Sequence, residues 1–339
     1  MEDIQNEIKN SDFFIIAELG MNHDGSLGNA FRLIEEAKEA GVDAVKFQLH
    51  ISEAETLKDA PTPPYFKLEE RYEYFERTSF VLSEWEKLKT YANELGLYFI
   101  VSPFSLQAVN KLEKIKIDAY KIASGETTNL PLLDYIDQCD KPVLLSSGMS
   151  NWNEISNAVQ SLKKNLLVIF QCSSQYPCHP EDVGLNILKE LKERYAQYVI
   201  GFSDHTLNCP SAIAAYLMGA KVFEKHFTLS KKMYGADARF SLEPDEMKEY
   251  VDGLKFISKA LKNPIDKNDI SKYNTMKTTF EKSIVAARNL TKNHKLQLED
   301  LNFKKPGDGL RADNYRKVIG KKLKRDIKQN EKIKFNDLL

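Results

Sequence analysis

Two histidines, His205 and His226, close the motifs GFSDHT (201–206) and FEKHF (223–227). Neutral imidazoles converging from neighbouring elements can bind one divalent metal and leave positions for substrate oxygens. Glu224, two residues before His226, shares its face of an extended strand and is a further ligand or an orienting group. Two lysines, Lys46 in AVKFQ and Lys121 in AYKIA, sit within apolar runs. An ammonium in an apolar cleft is costly unless it meets an anion. With the hydroxyls of Ser102, Ser124, Ser146 and Ser203, the pair suits a phosphate together with a carboxylate. Schiff-base chemistry at one lysine is the rival role. Glu18, Glu126 and Asp237 can hold hydroxyl groups or move protons. Gly125 and Gly148 would let the backbone approach a ligand closely. His23, in Asn22-His23-Asp24-Gly25, fits a turn as well as a ligand role, and His50 is a weaker candidate. Cys172 reads as core packing, since no cysteine has an evident catalytic partner.

These side chains need a frame. Eight short runs rich in Val, Ile, Phe and Tyr, with little polar alternation, read as strands covered on both faces. They span 13–17, 44–47, 98–101, 119–122, 143–145, 166–170, 198–202 and 221–224. Amphipathic segments at 27–40, 83–95, 153–162, 185–195, 211–218 and 243–261 read as helices, with Gly41 and Gly96 as stops. Repeated strand–helix alternation predicts an α/β fold, a (β/α)8 TIM barrel. A doubly wound open sheet is the alternative, and the chain lacks its GxGxxG turn. In a barrel the active site is built at the C-terminal strand ends, where all the residues named above fall except Asp237, which lies in the loop after the last strand.

The chain has 339 residues and a net charge of −1, which argues against a nucleic-acid surface. The stretch 304–334 is rich in Lys and Arg and reads as a solvated face or as attraction for an anionic substrate. Four unpaired-looking cysteines suit reduced thiols. The polar, acidic start MEDIQNEIKNSD is unlike a secretory leader, and no apolar run reaches membrane-span length. The expectation is a cytoplasmic protein without a membrane segment. The polar stretch NPIDKNDIS (263–271) reads as a linker, and a segment punctuated by Pro306, Gly307, Gly309 and Gly320 follows.

Together the motifs IIAELGMNHDGS (15–26), AVKFQ, VSPF (101–104), AYKIASGETTN (119–129), LLSSGM (144–149), QYP (175–177), GFSDHT, FEKHFTL (223–229) and GADARFSLEP (235–244) resemble the sialic acid synthase family. That family includes the legionaminic and pseudaminic acid synthases. The resemblance implies a catalytic TIM barrel at 1–262, a linker at 263–280 and a small SAF (antifreeze-like) β-rich domain at 281–339. It implies Mn2+ or Mg2+, phosphoenolpyruvate, an N-acyl hexosamine aldehyde and a domain-swapped homodimer. It assigns His205 and His226 to the metal, with Glu224 close by. Lys46, Ser102, Lys121, Ser124, Ser146 and Ser203 fall to phosphoenolpyruvate. Glu126, Gln48, Tyr176 and Asp237 fall to the sugar, and Glu18 matches an acidic position on the first strand. Many members carry Arg-Pro-Gly in the SAF domain. Here the residues are Lys305-Pro306-Gly307, so Lys305 or the nearby Arg311 is the candidate sugar contact. Three other readings stand beside this one: a pyruvate aldolase using Lys121, a non-catalytic sugar-binding protein, and a synthase acting on a sugar phosphate to give an eight-carbon acid.

Overall fold

Eight parallel strands close on themselves: β1 (Phe14–Gly20), β2 (Ala44–Leu49), β3 (Tyr98–Pro103), β4 (Ala119–Ile122), β5 (Val143–Ser146), β6 (Leu166–Cys172), β7 (Val199–Asp204) and β8 (Val222–His226). β1 pairs with both β2 and β8, which seals the barrel. The computed structural model describes residues 3–61, 66 and 68–339. Seven of the strands run beyond or around the expected apolar cores, and most gain residues at the C-terminal end. The added residues include the polar Glu18, Gln48, Ser102, Ser146, Gln171, Ser203 and His226. The apolar signal stops one layer early because the top layer of this barrel is built from polar side chains.

Two aspartates help to set strand register. Asp43 accepts the amide of Ile15 at 2.7 Å, and Asp118 accepts that of Phe99 at 2.7 Å. Each precedes the strand next to the one it caps, in the repeated pattern Asp-Ala at 43–44 and 118–119. The register that follows places Glu18 beside Lys46 on one side and His226 on the other. It also pairs Gln48 with Ser102 and Ser203 with Glu224.

The helices cover the outside. Helix Leu27–Ala40 starts at Ser26, whose hydroxyl accepts the Asn29 amide, and ends at Gly41 with φ 87°. It buries Ala30, Leu33, Ile34, Ala37 and Ala40 in the shell between strands and helices. Besides the single turn Ser52–Glu55, three barrel helices among the described residues are absent from the sequence reading: Arg71–Thr78, Leu106–Ile115 and Leu130–Ile136. A fourth, Ile4–Asn10, is short; Asp3 caps it, and Ile4 and Ile8, one turn apart, are buried against Phe14, Tyr98, Leu144 and Phe170. Those two isoleucines were the only signal in an otherwise polar stretch.

The chain divides into two compact units, 1–262 and 263–339. In the second, β9 (Ser283–Ala286) pairs antiparallel with β10 (Leu301–Lys304) over a core of Ile284, Leu290, Leu296, Val318, Leu323, Ile327 and Ile333. The stretch expected as a linker belongs to this unit and is not wholly irregular, since Asn274–Phe280 is helical. All four cysteines are free. No helix among the described residues is long and apolar enough to cross a membrane.

Candidate active site

At the C-terminal mouth of the barrel, four buried charges meet. Lys46 Nζ lies 3.2 Å from Glu18 Oε2 and 3.2 Å from Glu224 Oε1. Lys121 Nζ donates to both oxygens of Glu224, at 2.9 and 2.8 Å, and packs 4.6 Å from the Phe170 ring centroid. Ser203 donates to Glu224 at 3.2 Å. Burial alone would push Glu224 up, but Lys121 and Lys46 hold it far below the usual carboxylate range. Burial opposes the Lys46 charge, yet Glu18 and Glu224 together keep it above the ordinary lysine value. For Lys121 burial prevails and lowers it. Glu18 moves the other way: burial carries it to about 7, against the opposing pull of Lys46. The sequence reading offered Glu224 as a further metal ligand or an orienting group; in the structure both of its oxygens meet lysines, from β2 and β4.

Beside this cluster stand the two histidines, with ring centroids 5.3 Å apart. His205 Nδ1 is 2.7 Å from the carbonyl of Ser173. A carbonyl only accepts, so Nδ1 carries the proton and Nε2 is left as a lone-pair donor. His226 Nδ1 is buried without a hydrogen-bond partner among the described residues. Burial, and His205 after it, hold His226 well below the usual histidine value, so its ring stays neutral. Burial opposes the His205 charge, yet Cys172 beside it raises the ring above the ordinary histidine value. With Nε2 deprotonated, the two rings offer a pair of lone pairs that fit a divalent cation taking its other ligands from substrate or water. Among the described residues no group of three or more His, Cys, Asp or Glu side chains gathers there. Cys172, expected in the core, lies against His205 Nδ1 at 3.9 Å and accepts from Ser124 at 3.5 Å. Burial would raise its thiol, but His205 brings it to about 7.

A pair that the sequence reading passed over frames His205 from outside the barrel. Lys225 and Asp204 are fully buried with Nζ 3.1 Å from Oδ2. Asp204 accepts the Thr206 amide and the Ser211 hydroxyl, each at 2.9 Å, and Lys225 donates to the Thr206 carbonyl. Thr206, the residue after His205, is thus tied down at both its amide and its carbonyl.

Above the charges opens a cavity of about 400 Å3 lined by Gln48, Ser124, Tyr176, His226 and Asp237. Tyr176 stacks over His205 with ring centroids 4.3 Å apart. Asp237 is raised by burial, as is Glu126, which accepts from Asn129 at 2.8 Å just beyond Gly125. Ser102 Oγ is buried and without a partner among the described residues. Ser146 is buried at the end of β5. Gly20, with φ 49°, lies under three of these groups. A Cβ there would come within 3.0 Å of Asp237, 3.3 Å of Glu18 and 3.4 Å of Gln48. Gly148 serves packing more than ligand approach, since a Cβ would meet Ser174 and Ser124 at 2.3 and 2.5 Å.

Other polar residues of these motifs make local contacts. Asn22 donates to the Phe227 carbonyl and Ser241, tying β1 to the loop after β8. His23 accepts the Gly25 amide at 3.1 Å, a turn role. Gln171 donates to the Val183 carbonyl. In the second unit, Lys305 sits over Phe280 at 4.9 Å, and Arg311 pairs with Asp313 and Glu281. Conversely, Arg71, Tyr74 and Phe75 line the cavity from one face of helix Arg71–Thr78, and none was foreseen. Their i, i+3, i+4 spacing was the available signal.

Comparison with known proteins gives concordant matches. The NeuB family matches residues 33–266 and the SAF domain matches 281–339. An uncharacterized protein of Methanocaldococcus jannaschii is 37% identical, over 96% of this chain and 94% of its own. The N,N'-diacetyllegionaminic acid synthase of Campylobacter jejuni is 34% identical, over 94% of this chain and 98% of its own. The crystal structure of the N-acetylneuraminic acid synthetase of Leptospira borgpetersenii has a TM-score of 0.67 at 31% identity, covering 79% of this chain and 91% of that one.

Proposed function

The chain belongs to the NeuB family, and on that premise we propose that it is a nonulosonic acid synthase. It condenses phosphoenolpyruvate with an N-acyl hexosamine aldehyde and water, giving a nine-carbon 2-keto-3-deoxy acid and phosphate. The observation that carries this reading is the buried Lys46–Glu224–Lys121 network beside the paired imidazoles of His205 and His226. Few reactions need a dianion cradle and a two-nitrogen cation site side by side at a barrel mouth.

In this reading Lys46 and Lys121, with Ser102, Ser124, Ser146 and Ser203, bind the phosphate and carboxylate of phosphoenolpyruvate. His205 and His226 would hold a divalent cation, Mn2+ or Mg2+, which when bound supplies Lewis acidity toward a carbonyl oxygen. Glu126, Asp237, Gln48 and Tyr176 hold the sugar so that its aldehyde carbon faces C3 of phosphoenolpyruvate. The new bond joins those two carbons, water adds at C2, and the C2–O bond to phosphate breaks. Glu18, poised at about 7 beside Lys46, is placed to take or return the proton of that water. The sugar is N-acetylmannosamine or a 2,4-diacetamido-trideoxyhexose. The SAF match supports a domain-swapped homodimer, in which Lys305 or Arg311 reaches the sugar in the partner subunit's barrel.

The test is phosphate release from phosphoenolpyruvate with Mn2+, across N-acetylmannosamine, the diacetamido hexoses and arabinose 5-phosphate, each with an EDTA control. EDTA-sensitive release with an N-acyl sugar supports the reading and names the substrate. Release with arabinose 5-phosphate alone overturns it in favour of an eight-carbon product. A borohydride-trapped adduct with pyruvate at Lys121 overturns it in favour of an aldolase.

A further inference from the structure

His50 follows β2 and has no part in the chemistry above. Its ring is buried between two phenyl rings, Phe75 with centroids 3.7 Å apart and Phe104 at 4.1 Å, stacked at 4° and 18°. Both ring edges meet oxygen. Nδ1 lies 2.5 Å from Glu55 Oε1, and Nε2 lies 3.0 Å from Gln48 Oε1. The other carboxylate oxygen of Glu55 accepts the Ile51 amide at 3.1 Å. The far end of the Gln48 amide, Nε2, donates to Glu18 Oε1 at 2.6 Å.

The donors can be assigned from the inside outward. Glu18 faces the Lys46 ammonium with one oxygen, so its other oxygen accepts from the amide NH2 of Gln48. That turns the Gln48 carbonyl oxygen to His50. A carbonyl only accepts, so Nε2 of His50 carries a proton. Nδ1 is held in place by the Glu55 carboxyl group, which is itself fixed by the Ile51 amide.

We propose that His50 is a positioning residue whose Nε2–H, with Glu55 anchoring Nδ1, fixes which end of the Gln48 amide meets Glu18. An amide turned the other way would set its carbonyl against the Glu18 carboxylate and release it from its geometry over the Lys46 ammonium. Only the catalytic consequence of this rests on the synthase reading; the hydrogen-bonding assignment does not.

The experiment uses the full chain labelled with 15N-histidine. The His50 ring signals are identified by their loss in His50→Asn. Nε2 of His50 is expected to read as a protonated, hydrogen-bonded nitrogen in the wild type. In turnover, Glu55→Gln is expected to lower kcat about tenfold, with the KM for phosphoenolpyruvate changed less than about twofold, as for loss of one charged hydrogen bond. Combined with Gln48→Ala it should cost no more than Gln48→Ala alone, because both act on one contact. A wild-type His50 whose Nε2 carries no proton overturns the proposal. So does an additive double variant, or a loss shared equally between kcat, KM and thermal stability. The spectrum needs no turnover, so a wild type that releases no phosphate would sink the synthase reading while the His50 assignment is still decided.

Discussion

Lys121 donates to both oxygens of Glu224, and Lys46 lies 3.2 Å from one of the same oxygens. Glu224 thus faces two buried ammoniums, with Glu18 beside only one of them. Glu224→Gln keeps the shape and removes the charge. Breaking a buried pair from one side costs about 3 kcal/mol or more. The variant should therefore unfold at lower temperature than the wild type. Phosphoenolpyruvate should recover more stability in the variant than in the wild type, since it restores the missing negative charge. Calorimetry or dye-monitored melting with and without the ligand reads both effects. Equal ligand-induced shifts would show that the lysines do not face the anion.

Lys225 and Asp204 act on the site without touching it. Together they hold both the amide and the carbonyl of Thr206, the residue that follows His205. Groups that orient a metal-binding histidine typically change affinity by about 10–100-fold when removed. Lys225→Met is expected to weaken Mn2+ binding within that range, while double replacement of Lys225 and Asp204 by apolar residues recovers stability but not affinity. Mn2+ titration followed by electron paramagnetic resonance, alongside melting curves, separates the two. Unchanged Mn2+ affinity in Lys225→Met would reduce the pair to a packing role.

A pH effect follows from Asp43. Burial raises its carboxyl to about 6 from an ordinary 3.8, even though it accepts the Ile15 amide. A raised acid binds its proton more tightly folded than unfolded. Its contribution is therefore full below about pH 4, declines as pH rises to about 6, and is flat above that. Two units correspond to roughly 3 kcal/mol at most. Asp43→Asn keeps an acceptor for Ile15 and cannot ionise. Urea midpoints for the barrel should fall between pH 4.5 and 7 by less in the variant than in the wild type. Parallel profiles would mean that Asp43 is solvated when ionised.

The barrel was legible because its strands are apolar on both faces and its helices alternate with them. The residues at the strand ends were legible by type, as with His205, His226, Lys46 and Lys121. Their partners were not. That Glu224 belongs to the lysines depends on a register across β2, β4 and β8, which no spacing within one segment encodes. Lys225 and Asp204 hide for the same reason, one on each of two strands. Helix Arg71–Thr78 escaped because its Arg71, Tyr74 and Phe75 line a cavity and leave no continuous apolar stripe. His50 was discounted as an isolated residue, and only its sandwich between Phe75 and Phe104 gives it meaning.

Gly20 offers the sharpest separation of function from stability. It ends β1 with φ 49°, and the space beyond its Cα is bounded by Asp237, Glu18 and Gln48. Alanine can adopt that backbone conformation at a cost of about 1–2 kcal/mol. The added methyl would stand 3.0 Å from Asp237 Oδ2 and 3.3 Å from Glu18 Oε1, closer than a carbon comfortably approaches an oxygen. Both carboxylates would have to move by a few tenths of an ångström, and Gln48 with them. Displacements of about 1 Å can cost a hundredfold in rate, so Gly20→Ala is expected to lose about tenfold or more in kcat/KM for the sugar. The KM for phosphoenolpyruvate should change little, because Lys121 and Ser203 lie away from the methyl. Steady-state kinetics with each substrate varied in turn provides the check. A loss confined to phosphoenolpyruvate would place the anion, not the sugar, against Gly20 and would exchange the two halves of the site.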